Sequence, residues 1–208
     1  MSCDIDALLK ARQVPEPDQL LPAGFLEKFD TGPIYQLGLA VPDVVEAAKC
    51  LEDAGIGPFI IAEDDLHFWI ERGENSFFHG KLGMAYLGGY ELELLEPGRG
   101  SAIYADFCRA DGAIALHHVG ILDRRMDDRI QQLNRAGIET AVRGRIKVGP
   151  FTGDFAYMDA RKETGIYVEF IDYRIFGIPV RPAPALIKTA TRLLRLAGLD
   201  QLRMGQRL

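Results

Sequence analysis

The sequence predicts an α+β fold in which two paired βαβββ modules set eight strands around a curved trough. Three observations predict it. First, "YQLGLAVPDVVEAAKCLEDAGI", from Tyr35 to Ile56, is matched by "HHVGILDRRMDDRIQQLNRAGI", from His117 to Ile138. Gln36-Leu-Gly-Leu falls on His118-Val-Gly-Ile and Leu51-Glu-Asp-Ala-Gly-Ile on Leu133-Asn-Arg-Ala-Gly-Ile, both at an offset of 82. Second, each copy opens with a β-prone run and changes to helical spacing. Third, the closing runs also match, Glu93-Leu-Leu-Glu on Glu169-Phe-Ile-Asp, at an offset of 76. The second copy is therefore shorter in its middle loops. A lone βαβββ unit leaves one sheet face and one edge uncovered, so two of them should share a core.

The elements follow in order. Residues 1–30 form an N-terminal extension, with "ALLKAR" as a helical turn and "VPEPDQLLPAG" as an extended arm. The first module spans 31–112. Its opening strand is "YQLGLAV", and Asp43 caps a helix through Ala47, Ala48 and Leu51 that Gly55 ends. "PFIIA" and "LHFWIE" read as strand, and "KLGMAYL-GG-YELELLEP" as a hairpin closed by Gly88-Gly89. The second module spans 113–172. Met126, Ile130 and Leu133 mark its helix, Gly137 its end, and "FAYMDARKETGIYVEFID" its last strands. Residues 173–208 form a C-terminal arm and an amphipathic helix presenting Leu186, Ala190, Leu193, Leu194 and Ala197 on one face.

Composition excludes several classes. With 48% hydrophobic and 26% charged residues, the 208-residue chain is globular rather than disordered. A net charge of −6 gives no electrostatic case for nucleic acid. From Arg181 on there are six basic residues and one acidic, so the rest carries −11. The C-terminal helix should then dock on its own acidic body or on a sister subunit. Cys3, Cys50 and Cys108 are odd in number and form no CxxC pair, which suggests neither a disulfide framework nor a zinc knuckle. "MSCDIDALLKARQ" lacks a signal-peptide core, and no run approaches the roughly 18 apolar residues of a spanning helix. The expectation is a cytoplasmic protein, without a membrane span, that forms a homodimer.

The repeat also selects four residues. Gln36 and His118 are equivalent on the opening strands, and Glu93 and Glu169 on the closing ones. All four can offer a lone pair to a divalent metal, with zinc the first choice and cobalt, nickel, manganese or iron as alternatives. A carboxylate buried in an apolar strand needs a partner or a cation. The ordinary alternatives are a hydrogen-bonded core histidine and solvent-facing glutamates; Glu91 and Glu93 share one strand face, which fits the latter. On strict alternation His118 faces the trough and His117 faces away. Phe68, Trp69, Phe77 and Phe78 are either ordinary core or the wall of a stacking pocket.

"QLGLAVPDVVEAAKCLEDAGI", "ELELLEPG", "LHHVGIL" and "TGIYVEFID" together resemble the vicinal oxygen chelate superfamily, which includes glyoxalase I, methylmalonyl-CoA epimerase, extradiol dioxygenases and bleomycin-resistance proteins. The resemblance runs from about Gly32 to Asp172 and implies paired βαβββ modules around one metal. Carried over by position, the metal ligands are Gln36, Glu93, His118 and Glu169, a set similar to that of glyoxalase I. The wording around them is more similar to methylmalonyl-CoA epimerase. This chain departs from that enzyme in having Gln36 where histidine is usual and no carboxylate in "KLGMAYL". The resemblance implies a metal-dependent isomerase, epimerase or lyase that abstracts a proton next to a carbonyl and stabilises the enediolate. Glu169 would be the base, with Glu93 the second choice, and the substrate a small carbonyl compound such as an acyl-CoA. Alternatives are a glyoxalase I-type lyase on a thiol adduct, a non-catalytic small-molecule binding or resistance protein, and an extradiol-type dioxygenase.

Overall fold

The computed structural model describes residues 5–198 and 201–203. Cys3 and the last residues of the C-terminal arm lie outside them. Three short helices come first, α1 (Ile5–Lys10), α2 (Pro17–Leu20) and α3 (Phe25–Lys28). The first βαβββ unit follows as β1 (Gln36–Ala40), α4 (Val44–Asp53), β2 (Ile60–Glu71), β3 (Glu74–Leu87) and β4 (Tyr90–Leu95). The second comprises β5 (Ala115–Leu122), α5 (Met126–Arg135), β6 (Thr140–Val148), β7 (Phe151–Met158), the single turn α6 (Arg161–Thr164) and β8 (Tyr167–Ile175). Then come β9 (Ile178–Pro179), α7 (Pro184–Leu196) and β10 (Gln201–Arg203).

Local chemistry accounts for the boundaries. Asp43 Oδ1 accepts hydrogen bonds from the amides of Val45 and Glu46, satisfying two open donors at the start of α4. Gly88 and Gly89 both have positive φ, +58° and +91°, as a two-residue hairpin turn that follows the twist of its strands requires. Asp43→Ala should cost about 1 kcal/mol of stability, read as a lower midpoint in denaturant unfolding.

One sheet runs through the molecule in the order β10-β2-β3-β4-β1-β5-β8-β7-β6. Antiparallel pairing of β1 with β5 joins the two units at its centre, within one chain. At the far side β2 also pairs with β6, from Trp69↔Gly144 to Glu71↔Val142. The predicted trough is thus closed into a barrel. β2 and β3, at 12 and 14 residues, are long enough to carry the sheet around to β6, and closure removes two free edges.

The four central strands are covered on both faces, which explains their almost continuous burial. Leu37, Leu39, Leu92, Leu94, Val119, Ile121, Val168 and Phe170 face outward into a core shared with α4, α5 and the N-terminal helices. The N-terminal stretch is therefore more than a turn and an arm, because Ile5, Leu9, Phe25 and Phe29 complete that core. Alternate residues face the barrel interior, where Trp69, Phe78, Tyr104, Phe155, Tyr157 and Tyr167 pack together. Of the four aromatics noted in the sequence, Trp69 and Phe78 are stacked core, 5.2 Å between centroids, while Phe68 and Phe77 are largely exposed.

α7 docks on its own body, but by a different face from the one its leucines suggest. Arg195 makes a bidentate ion pair with Glu52 and donates to the Phe59 carbonyl. Thr191 is buried, with its hydroxyl donating back to the Ile187 carbonyl. Ile187 packs inward, leaving Leu186 and Leu193 exposed. The Arg195–Glu52 ion pair anchors the helix in this rotation.

Candidate functional site

The site forms where β4, β1, β5 and β8 lie side by side. Gly38 of β1 stands between Glu93 of β4 and His118 of β5. Gly120 of β5 stands between Gln36 of β1 and Glu169 of β8. Each polar side chain therefore lies beside a glycine on the neighbouring strand. A Cβ on Gly38 would fall inside the His118 imidazole, and one on Gly120 would press on Gln36 Oε1 at 2.6 Å. The two glycines of the repeated Gln-x-Gly and His-x-Gly runs create the space that their partners occupy.

All four residues selected from the sequence meet in the barrel interior. His118 Nε2 lies 3.1 Å from Gln36 Oε1, 3.1 Å from Glu169 Oε2 and 3.6 Å from Glu93 Oε2. Donor atoms of Glu93, His118 and Glu169 all fall within 4.8 Å of one another. Relative exposures are 1% for Gln36, 7% for Glu93, 0% for His118 and 4% for Glu169. Glu93 Oε2 and Glu169 Oε2 are buried without a hydrogen-bond partner. Orphaned carboxylate oxygens of this kind are expensive to desolvate and are normally paired or bound to a cation.

The electrostatics point the same way. Burial, then the nearby charges of Glu169 and Glu91, pushes the Glu93 carboxyl well above its ordinary range. Burial and Glu91 do the same to Glu169, with a Tyr157 hydrogen bond acting in the opposite sense. Burial lowers the His118 imidazole to about 3, so the ring is neutral and has a lone pair to give. If a divalent cation binds here, protein stripped of it should show the cost of this arrangement. A carboxyl whose folded pKa is raised contributes stability below its unfolded value, near 4.5 here, and loses it as pH rises through the folded value. His118, lowered from 6.5, contributes fully above 6.5 and loses that contribution as pH falls towards 3. Above pH 6.5 only the carboxyl loss remains. The Tm gap between metal-loaded and stripped protein should therefore widen from about pH 6.5 to 8. A gap that narrows over that window would contradict the site.

Three features of the site were not foreseen in the sequence. Glu91, which the ordinary alternative places on a solvent-facing surface with Glu93, is buried beside the site and accepts from Gln36 Nε2 at 2.8 Å. The sharing of one face by Glu91 and Glu93 is real, but that face is the interior. His117 was expected to face away. The β1–β5 register slips by one at this residue, a β-bulge that breaks strict alternation. The His117 ring is buried against Tyr104, Phe107 and Tyr167, with its Nδ1 2.9 Å from His118 Nδ1. It accepts the Nδ1 proton of His118 whenever Nε2 of that ring serves as a ligand, which fixes the ring's tautomer. If the site holds a cation, His117→Phe should weaken its binding by about 10–100-fold, measured by competition with a chromogenic chelator. The third feature is Tyr157, which stands opposite Glu169 on β7, with its hydroxyl 3.1 Å from that of Tyr104.

The enclosed cavity is about 30 Å³ and is walled mainly by Leu66, Phe78, Leu82, Leu95 and Phe155. It holds one or two water-sized species. No lysine or arginine lines it among the described residues. No helix of the described residues is long and apolar enough to cross a membrane.

The family model of the Glyoxalase/Bleomycin resistance protein/Dioxygenase superfamily matches residues 35–158. No curated protein matches the chain. Among solved structures, one that is similar is a Streptomyces coelicolor methylmalonyl-CoA epimerase variant in complex with 2-nitronate-propionyl-CoA. It is 14% identical with a TM-score of 0.44, over 68% of this chain and 96% of that one. The methylmalonyl-CoA epimerase from Mycobacterium tuberculosis is 15% identical with a TM-score of 0.44, over 85% and 98% respectively. A hypothetical protein from Bacillus halodurans C-125 is 18% identical with a TM-score of 0.42, over 67% and 92%.

Proposed function

The chain belongs to the Glyoxalase/Bleomycin resistance protein/Dioxygenase superfamily, and from that premise we propose a metal-dependent isomerase, epimerase or lyase that removes a proton next to a carbonyl. The observation that carries this reading is the convergence of two orphaned, buried carboxylate oxygens, a neutral imidazole and an amide oxygen. That donor set fits zinc or another borderline divalent cation, held by Gln36, Glu93, His118 and Glu169. Bound there, such a cation would polarise a substrate carbonyl and favour negative charge on its oxygen.

The chain's own groups account for the proton. Glu169 is the proposed base, since its raised pKa brings a carboxylate closer to the basicity that carbon acids demand. The Tyr157 phenol opposite it favours the carboxylate form. Glu93 is the second choice of base. Its partner on β3 is Met84, which offers no carboxylate beside it. Leu66, Phe78, Leu82, Leu95 and Phe155 give the site an apolar side that lowers the polarity around the transferred proton. The substrate in this reading is a small carbonyl compound.

Elemental analysis of protein purified without chelator tests the proposal. About one equivalent of a transition metal is expected, lost in His118→Ala. Metal below about a tenth of an equivalent, with no gain on reconstitution, would overturn it. Metal present without solvent-deuterium exchange into any small carbonyl substrate would favour sequestration instead.

A further inference from the structure

Gln36 presents a chemical difficulty that the other three candidate ligands do not. A carboxamide has an oxygen at one end and an NH2 at the other, and only the oxygen can face a cation. Rotation of the side chain by half a turn would aim two N–H donors at the site. Something must choose the end.

Glu91 is placed to choose it. Its side chain is buried and receives four donors: Gln36 Nε2 at 2.8 Å, Tyr35 Oη at 3.1 Å, Tyr173 Oη at 3.1 Å and Tyr86 Oη. Four donors fill the lone pairs of its two carboxyl oxygens, so Glu91 acts as an acceptor towards each of them. Against such a partner Gln36 can turn only its NH2 end, and its Oε1 then points towards His118 Nε2. The β1–β4 register sets Gln36 directly beside Glu91, so the pairing is a property of the sheet rather than of a movable loop. The C-terminal arm closes the same cluster, with Val180 and Ile187 packed on the tyrosines and the Arg181 guanidinium 5.2 Å over the Tyr35 ring.

We propose that Glu91 is a positioning residue that orients the Gln36 carboxamide oxygen into the metal site through a hydrogen bond that only an acceptor can make. This rests on the metal reading above.

Cobalt(II) affinity of the full chain tests it. Glu91→Gln should weaken binding by about 10–100-fold, because an amide at that position no longer dictates which end of Gln36 faces it. Gln36→Glu should also weaken binding, since it sets two carboxylates face to face. The double variant Gln36→Glu/Glu91→Gln again pairs one amide with one carboxylate, and should return to within about threefold of the wild type. A merely structural role for Glu91 predicts additive losses instead. Wild-type affinity in Glu91→Gln, or a double variant no tighter than Glu91→Gln, would overturn the proposal. If Glu91→Gln fails to fold, the double variant decides alone: folding and binding support the pairing, and a second failure to fold refutes it. An independent measurement separates this inference from the metal reading. In metal-free wild type the Gln36 side-chain NH2 should be protected from exchange in NMR spectra, and Glu91→Gln should lose that protection. A freely exchanging wild-type NH2 would refute the orientation even if metal binds. A protected NH2 in a protein that binds no metal would sink the metal reading while upholding the orientation.

Discussion

Glu169→Gln should reduce turnover and solvent-deuterium exchange by roughly 10²–10⁴-fold while the protein keeps much of its metal. The substitution leaves an oxygen in the same place but removes the basicity. Two facts make Glu169 the better choice than Glu93. It lies 3.1 Å from His118 Nε2, against 3.6 Å for Glu93. Its neighbour on β7 is the Tyr157 phenol, whereas Glu93 faces the thioether of Met84 on β3. Burial raises the pKa of both carboxyls in the direction a base needs, so it does not choose between them. The measurement is single-turnover kinetics with metal content determined on the same sample. Normal turnover in Glu169→Gln would end the base assignment without touching the metal site. Equal loss of metal and activity would instead make Glu169 chiefly a ligand.

Gly38→Ala should do nearly as much damage with a single methyl group. The added Cβ has no room, because the His118 imidazole lies across the Gly38 backbone. The ring can escape only by leaving the position from which Nε2 reaches both carboxylates, and His117 and Tyr157 block its retreat. Overpacking of this kind typically costs about 1–3 kcal/mol. Displacing a ligand should weaken the metal by 10–100-fold or more, on the order of what losing a supporting group costs. Gly120→Ala should be milder, since its nearest contacts are Gln36 Oε1 at 2.6 Å and Gln36 Cβ and Ile171 Cδ1 at 2.9 Å, against 1.9 Å to the His118 ring at Gly38. The check is metal affinity and the unfolding midpoint for both variants. An unperturbed Gly38→Ala protein would show that the strand spacing is looser than the packing implies.

A good part of this was legible in the sequence, and for a simple reason. Duplication preserves register, so an offset of 82 equated Gln36 with His118 before any pairing was known. Period-2 alternation accounts for Leu37, Leu39, Val119 and Ile121 facing the outer core while Gln36 and His118 face the interior. Caps and turns were read from their own chemistry, as at Asp43 and Gly88-Gly89. The four candidate ligands were found because they are polar exceptions in apolar runs that repeat.

What the sequence could not decide was how distant segments cover one another. Alternation says that Glu91 and Glu93 share a face, but not that the face is the interior, since that depends on β2 reaching β6. The same closure turned a trough into a barrel. A bulge costs one residue of register and leaves no local signature, so His117 was assigned to the wrong side. The rotation of α7 was set by Glu52, some 140 residues away, rather than by its own leucines. The sequence by itself determined the repeat, the strand and helix order and the four converging residues, because these follow from local periodicity. Only the tertiary structure decided closure, the bulge and the buried glutamate behind Gln36, because each depends on a contact between segments that no local pattern encodes.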